Sequence, residues 1–156
     1  MGLKAGDRAP DVTLPDHERQ QVALSSLWQD GPAVLLFFPL AFTSTCTEEL
    51  CTVRDDIGSY TGLEGNVAAI SVDSPYVLKR FRDELGAPYP FLSDFNREAS
   101  TAFGVLRTAP VGPGLVGASD RAAFVVGTDG LVRYAWHETN ASLLPPFDEI
   151  KAALAG

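Results

Sequence analysis

The chain has 156 residues, and its 12 Lys and Arg residues against 20 Asp and Glu give a formal net charge of −8. This length is typical of one domain, so we expect a single domain over residues 1–156. Such a domain buries enough surface to fold without disulfide staples or structural zinc. The acidic balance disfavours a nucleic-acid binder, because such a protein normally presents a basic face.

The sequence contains no segment typical of a membrane span or a signal peptide. Its longest apolar stretch, residues 32–42, is far shorter than the roughly 20 residues that a membrane-spanning helix needs. Residues 1–16 also lack the apolar run of a signal peptide. We therefore expect a cytoplasmic protein with no membrane partner, in a compartment that keeps thiols reduced. The chain's two cysteines are then expected to be reactive, metal-binding or core residues and not a permanent disulfide.

The first part of the chain predicts a hairpin, a buried strand and a helix. Short β-type runs at Asp11–Leu14 and Gln21–Leu24 flank a turn-rich stretch. The unbroken apolar run Ala33–Leu40 predicts a strand that is buried on both faces. Residues of N-cap type then precede apolar residues at helical spacing, which predicts a helix that begins near Thr45.

The rest of the chain continues to alternate between strands and helices. Further strands are expected at Asn66–Val72, Phe91–Leu92, Ala122–Val126 and Leu131–Trp136, and further helices from Pro75 to about Leu85, at Asn96–Phe103 and at Phe147–Leu154. The last two strands flank Gly127-Thr128-Asp129-Gly130, a strong hairpin signal. Arg107–Asp120 is the longest irregular stretch. This order predicts an α/β fold with a mixed sheet and helices on both faces.

Cys46 falls in the first turn of the helix that follows the buried strand. The free backbone N–H groups and the positive end of the helix dipole at that position favour its thiolate form. Thr43 adds a hydroxyl in the turn before the helix, and Pro39 adds a rigid apolar wall without an N–H. A single helical cysteine is usually a small core residue. The three residues together favour a pocket for nucleophilic attack on a small electrophile.

The segment Phe37–Asp55 resembles the peroxiredoxins, whose signature is P-x-x-x-T-x-x-C. Pro39, Thr43 and Cys46 occupy its fixed positions. The stretch FFPLAFT is similar to the AhpE-type branch, whereas the second cysteine of CTEELC is similar to the bacterioferritin-comigratory or PrxQ type. The resemblance covers nearly the whole chain. It implies an α/β, thioredoxin-like fold with a central mixed β-sheet flanked by helices and an N-terminal β-hairpin extension.

The resemblance also implies a thiol-dependent peroxidase that reduces hydrogen peroxide or organic hydroperoxides without a metal or other cofactor. Cys46 would be the peroxidatic cysteine, whose thiolate becomes a sulfenic acid. Thr43 would hold the peroxide, and Pro39 would shield the sulfenic acid from water. Arg121, just before the penultimate strand, would stabilise the thiolate and polarise the peroxide. Glu49 would orient Arg121, or it would be an ordinary solvated glutamate of the first turn.

The second cysteine, Cys51, lies five residues after Cys46. In an intact α-helix these positions are about 8.6 Å apart at the Cα atoms and roughly 140° apart around the axis. A disulfide needs its Cα atoms within about 7 Å, so the two cysteines can bond only after the helix unwinds. The PrxQ-like spacing implies that Cys51 resolves the sulfenic acid in this way. The alternative is a buried structural thiol in a one-cysteine peroxidase, with an external thiol completing the cycle.

The implied electron donor is thioredoxin, or a glutaredoxin- or mycoredoxin-like protein by the AhpE-like alternative. The resemblance implies a homodimer, with a monomer as the alternative, and apolar residues in two loops fit an interface: Phe42, Val111, Leu115 and Val116. A competing function is a non-enzymatic thioredoxin-fold redox sensor. His17 and His137 lie far from both cysteines in sequence, which disfavours zinc. Trp136 and His137 are expected to be core and surface residues of the last strand.

Overall fold

The N-terminal segment forms a small hairpin that packs beside the main sheet. The computed structural model describes residues 2–156. Strands β1 (Thr13–Pro15) and β2 (Gln21–Ala23) pair antiparallel, and a short 3₁₀ helix, Leu24–Trp28, follows. The predicted N-terminal hairpin is confirmed, with its first strand beginning two residues later than the sequence indicated.

A five-stranded mixed sheet lies at the centre of the fold, in the order β5-β4-β3-β6-β7. Strand β3 pairs parallel with β4 and antiparallel with β6, so the sheet changes direction at its middle strand. Strands β4 and β5 are parallel, and β6 and β7 form the predicted antiparallel hairpin. The bounds are β3 Ala33–Phe37, β4 Asn66–Ser71, β5 Phe91–Ser93, β6 Arg121–Val126 and β7 Val132–Glu138.

Helices cover both faces of this sheet, as predicted. Alternate residues of β3 point to opposite faces, and the two sets belong to two separate apolar clusters. The first cluster includes residues of α1, α3 and α5, and the second includes the 3₁₀ helix and α4. The helices are α1 Ser44–Asp55, α2 Ile57–Thr61, α3 Pro75–Leu85, α4 Glu98–Ala102 and α5 Phe147–Ala155. The fold class predicted from the sequence is confirmed.

The ends of two elements have identifiable physical reasons. The apolar run Ala33–Leu40 forms a strand only as far as Phe37, in agreement with the expectation that Pro39 ends it, because Pro39 has no N–H for a ladder and restricts the residue before it. The predicted helix Asn96–Phe103 shortens to Glu98–Ala102. Arg97 takes a left-handed φ of 62°, so no helix can run through it.

At the same end of the sheet, the two neighbouring strands β6 and β7 are longer than predicted. β6 includes Arg121, which the sequence placed just before it, and β7 extends to Glu138. The early end of β3 and the early start of β6 face each other, since Phe37 pairs with Ala122. This end of the sheet is where the candidate functional residues meet. No helix in residues 2–156 is long and apolar enough to cross a membrane.

His17 anchors the N-terminal hairpin to the main sheet. Its side chain is buried, and Nδ1 accepts a hydrogen bond from the Phe91 N–H at 3.3 Å. Burial lowers the pKa of His17, and the positive charge of Arg82 adds to this effect. The folded state therefore prefers the neutral ring.

We expect His17 to make the stability of the protein depend on pH in a defined direction. Because its folded pKa lies below its unfolded value, its contribution is full above about pH 6.5 and is lost as the pH falls through the folded pKa. The thermal midpoint of the wild type should therefore fall more steeply than that of His17→Gln between pH 7 and 5. A wild-type minus variant difference that stays constant over this range would contradict the assignment.

Candidate active site

Cys46 is buried in the first turn of α1. The helix begins at Ser44, and Thr43 takes the extended conformation of an N-cap residue. Only 1% of Cys46 is exposed to solvent. The unpaired N–H groups of the first helical turn and the positive end of the helix dipole lie around this thiol. The sequence-based location of Cys46 at a helix start, directly after a buried strand, is confirmed.

Arg121 reaches Cys46 from the opposite side, across the end of β3. Its Nη2 atom donates to the Cys46 sulfur at 3.2 Å and to the Ala141 carbonyl oxygen at 2.8 Å. The guanidinium is almost completely buried, although it carries a charge. Burial works against that charge, but the Glu49 carboxylate and the Cys46 sulfur outweigh it and raise the pKa of Arg121. A permanent cation therefore lies against the sulfur atom.

Glu49 completes the arrangement from one helical turn after Cys46. Its Oε1 atom accepts a hydrogen bond from Arg121 Nη1 at 2.5 Å, and its side chain is fully buried. The sequence left open a pairing with Arg121 or a solvated first-turn glutamate; the structure has the pairing, and the solvated interpretation is wrong. Burial raises the pKa of Glu49 to about 7, against the opposing pull of the Arg121 charge.

The ion pair between Arg121 and Glu49 is not fully satisfied by hydrogen bonds. Arg121 Nε and Glu49 Oε2 are both buried and have no hydrogen-bond partner within residues 2–156. Buried ion pairs of this kind contribute little net stability, because desolvation offsets their attraction. The pair holds the guanidinium through Nη1, while Nη2 of the same group contacts the sulfur.

A cavity of about 300 Å³ opens above the sulfur. It is lined by Pro39, Leu40, Thr43, Ser44, Thr45, Cys46, Val111, Leu115, Arg121, Ala141 and Ser142. Pro39, Thr43 and Cys46, which lie within eight residues of the chain, therefore line one cavity together with the distant Arg121. Thr43 Oγ1 donates to the Leu40 carbonyl oxygen at 2.9 Å, so its oxygen lone pairs remain able to accept a hydrogen bond.

The loop before α1 is held in a strained conformation. Phe42 has a left-handed φ of 67°, which costs a residue other than glycine on the order of 1–3 kcal/mol. Its ring packs on Phe81 at 4.8 Å between centroids. The Ala41 N–H donates to Asp73 Oδ2 at 2.8 Å, and that carboxylate also accepts from Ser71 Oγ. These contacts hold the loop in this conformation. Asp73 was not predicted from the sequence.

Two contacts of the site were not predicted from the sequence, and they differ in whether the sequence could have revealed them. Asp73 follows the buried strand β4, whose parallel pairing with β3 brings the ends of both strands together. That topology would have placed it beside the loop after β3. Ala141 acts through its backbone carbonyl, which no side-chain pattern reveals.

Cys51 lies on the same intact helix as Cys46, and both cysteines are free thiols. Its half-buried side chain packs against the first apolar cluster. The adjoining part of α1 is anchored from outside. Tyr89 Oη donates to the Leu50 carbonyl oxygen at 2.7 Å, and Arg54 Nη1 donates to the Leu85 carbonyl oxygen at 2.5 Å.

The histidines take different positions. His137 is an exposed residue of the last strand, as predicted, and its Nε2 lies 2.7 Å from Asp120 Oδ2. Trp136 is partly buried and packs against the first apolar cluster.

Across the described residues, no group of three or more His, Cys, Asp or Glu side chains is placed to hold a metal ion. Of the predicted interface residues, Phe42, Leu115 and Val116 are exposed, whereas Val111 is only partly so.

Comparison with known proteins identifies the family and agrees with the fold. Residues 5–135 match the AhpC/TSA family. The chain is 36% identical to alkyl hydroperoxide reductase E of Mycobacterium tuberculosis over 135 residues, which cover 85% of this chain and 84% of that protein. It is 30% identical to peroxiredoxin Bcp of Escherichia coli over 140 residues, which cover 90% and 89% of the two chains.

A solved structure agrees with these relatives. The crystal structure of peroxidoxin BcpB from Mycobacterium tuberculosis superimposes with a TM-score of 0.85 at 32% identity, covering 97% of this chain and 96% of that one. The resemblance to both the AhpE-type and the Bcp-type branch is confirmed by relatives of each name. The chain therefore belongs to the AhpC/TSA family and is a peroxiredoxin, a peroxidase whose chemistry depends on a thiol.

Proposed function

We propose that the chain, as a single domain of residues 1–156, reduces peroxides through Cys46. The observation that carries this proposal is the 3.2 Å contact between Arg121 Nη2 and the Cys46 sulfur at the floor of an open cavity. The cation and the helix terminus both lie beside the sulfur, where they can stabilise a negative charge. The cavity above gives a small peroxide access to the sulfur.

In the first step, the Cys46 thiolate attacks one oxygen of the peroxide. The O–O bond breaks, the attacked oxygen stays on sulfur as a sulfenic acid, and the other oxygen leaves as water or an alcohol after taking up a proton. Arg121 stabilises the negative charge as it moves from sulfur to the leaving oxygen. Thr43 accepts a hydrogen bond from the peroxide O–H, and Pro39 walls off the sulfenic acid.

In the second step, Cys51 condenses with the Cys46 sulfenic acid and releases water. The helix must unwind first, because the intact α1 keeps the two sulfur atoms apart. The strain at Phe42 favours release of the loop before the helix. The hydrogen bonds at Leu50 and Arg54 oppose unwinding in the later part of α1. Unwinding is therefore confined to the residues between Ser44 and Leu50.

The disulfide is then reduced by a thioredoxin, or by a glutaredoxin- or mycoredoxin-like dithiol protein, in the reducing cytoplasm. In the alternative cycle, an external thiol reduces the Cys46 sulfenic acid directly. As a non-enzymatic sensor, the protein would oxidise quickly but turn over poorly with every reductant. We further propose a homodimer whose interface uses the exposed side chains of Phe42, Leu115 and Val116 near the cavity, with a monomer as the alternative.

Loss of the sulfur or of its cation should stop peroxide reduction. Cys46→Ser should consume no peroxide above background with a dithiol donor. Arg121→Lys keeps the charge but cannot contact Glu49, Cys46 and Ala141 together, and we expect at least a 10²-fold lower rate constant, since catalytic donors are worth roughly this much. Peroxide consumption under excess reductant measures both. Equal rates in wild type and Cys46→Ser would overturn the proposed function.

Removal of Glu49 should destabilise the fold by leaving the Arg121 charge buried without its carboxylate. We expect Glu49→Ala to lower the free energy of unfolding by about 3–5 kcal/mol, as for other broken buried pairs. Lys151→Ala is a matched control, because it removes the more exposed pair with Asp56 and should cost less than about 1 kcal/mol. Urea unfolding at pH 8 measures both variants. Equal losses would show that burial does not distinguish the two pairs.

Oxidation should join the two cysteines within one chain. After one equivalent of hydrogen peroxide, mass spectrometry should find a Cys46–Cys51 disulfide, and amide exchange should increase in residues 44–50 but little in residues 51–55. Cys51→Ser should accumulate the Cys46 sulfenic acid. A persistent sulfenic acid in the wild type would instead support the one-cysteine cycle. A Cys46–Cys46 bond between chains would also exclude the intramolecular step.

A further inference from the structure

A second charge network, with one buried carboxylate, lies next to Arg121 in the chain and has no part in the cycle described above. Asp120, the residue before Arg121, is buried, and its Oδ1 accepts from Arg107 Nη1 at 3.0 Å. Its Oδ2 lies 2.7 Å from His137 Nε2. Arg107 Nη1 also donates to the Thr139 carbonyl oxygen at 2.6 Å. We call Arg107, Asp120 and His137 the rear triad.

The rear triad lies where three segments meet that are also paired through their backbones, since Leu106 bridges Ser119 and Arg121 pairs with Glu138. Arg107 begins the irregular loop 107–120, Asp120 ends it, and His137 lies near the end of β7. The chain after β7 then turns back over the site, where Ala141 and Ser142 line the cavity. Arg107 thus adds a side-chain contact at Thr139, the first residue after the paired part of β7.

The returning segment supplies one of the contacts that orient Arg121. Arg121 Nη2 is shared between the Cys46 sulfur and the Ala141 carbonyl oxygen. A shift of residues 139–141 would move that carbonyl and allow the guanidinium to turn about its contact with Glu49. The position of Thr139 is therefore linked to the distance between Arg121 and the sulfur.

We propose that the rear triad is a positioning device for Arg121, in which Arg107 holds Thr139 so that Ala141 keeps the guanidinium against Cys46. This inference rests on the proposed role of Arg121. Arg107 and Asp120 have opposite charges, so their combined field at Cys46 is small and the triad acts through geometry. Arg107 Nε is buried without a hydrogen-bond partner in the described chain, which makes the triad a poor source of net stability.

The test compares Arg107→Ala with Arg107→Lys. One nitrogen of Arg107 makes both contacts, to Asp120 and to Thr139, so a lysine ammonium can replace it. Arg97→Ala is the matched control, because Arg97 also holds the 107–120 loop, through Gly117, but makes no contact with residues 139–141. His137→Ala and His137→Gln form a second pair, in which glutamine can still donate to Asp120.

All variants are made in a Cys51→Ser background, so that only Cys46 is alkylated. Two readouts are measured: the rate constant of Cys46 oxidation by hydrogen peroxide, and the pH profile of its alkylation by iodoacetamide. Arg107→Ala should lose about 10-fold or more in the oxidation rate constant, since a misplaced catalytic group costs up to 10²-fold. Its alkylation profile should shift to higher pH. Arg107→Lys and Arg97→Ala should stay close to the background protein.

Three results would overturn the proposal. Arg107→Ala with an unchanged rate constant and alkylation profile would separate the triad from Arg121. Equal losses in Arg107→Ala and Arg97→Ala would assign the effect to general order of the loop. If Arg107→Lys were as slow as Arg107→Ala, the contacts that the lysine ammonium restores would not be the ones that position Arg121. If Arg107→Ala does not fold, the two His137 variants are compared instead. His137→Gln should keep the oxidation rate constant that His137→Ala loses, and an equal loss in both variants would overturn the proposal. An Arg121→Lys variant as fast as the background protein would instead refute the proposed role of Arg121 itself.

Discussion

The rest of the site depends on one buried cation held between a helix and a strand. Arg121 enters from β6, contacts the Cys46 sulfur and pairs with Glu49, and both of these partners lie in the first two turns of α1. The guanidinium therefore joins the helix to the sheet at the point where the sulfur must be charged. Because breaking such a pair leaves a buried charge alone, separating Glu49 from Arg121 is costly, and the proposed unwinding of the first turns of α1 must overcome this cost.

The end of β3 makes this meeting possible. Pro39 cannot continue the ladder, so the chain leaves the sheet at Phe37 and passes through the strained Phe42 before α1 starts. The same residue that ends the strand thus sets the position of the helix start and forms part of the cavity wall.

The sequence was informative where the chemistry is local. Cys46, Thr43 and Pro39 lie within eight residues, and their relation to a strand end and a helix start follows from pattern alone. Arg121 could be assigned only by resemblance, and the burial of Glu49 could not be inferred, because both depend on the register between β3 and β6. Ala141 acts through its backbone carbonyl, and Asp73 and the rear triad make contacts between segments that are separated in sequence. Hydrophobic periodicity contains no information about such contacts.

Helix α1 has two conflicting requirements in the proposed cycle. It must stay folded to keep the thiolate in the field of the helix terminus and Arg121, and it must open for Cys51 to reach Cys46. The contacts that hold the first turn of α1 include the sulfur, whereas those that hold its later part do not. Oxidation converts the thiolate into a neutral sulfenic acid and so removes one of the charges that hold Arg121 to the first turn. The anchors from Tyr89 and Arg54 lie beyond that turn and do not depend on the sulfur. The chemical step itself therefore weakens the part of the helix that has to unwind, and leaves the rest in place.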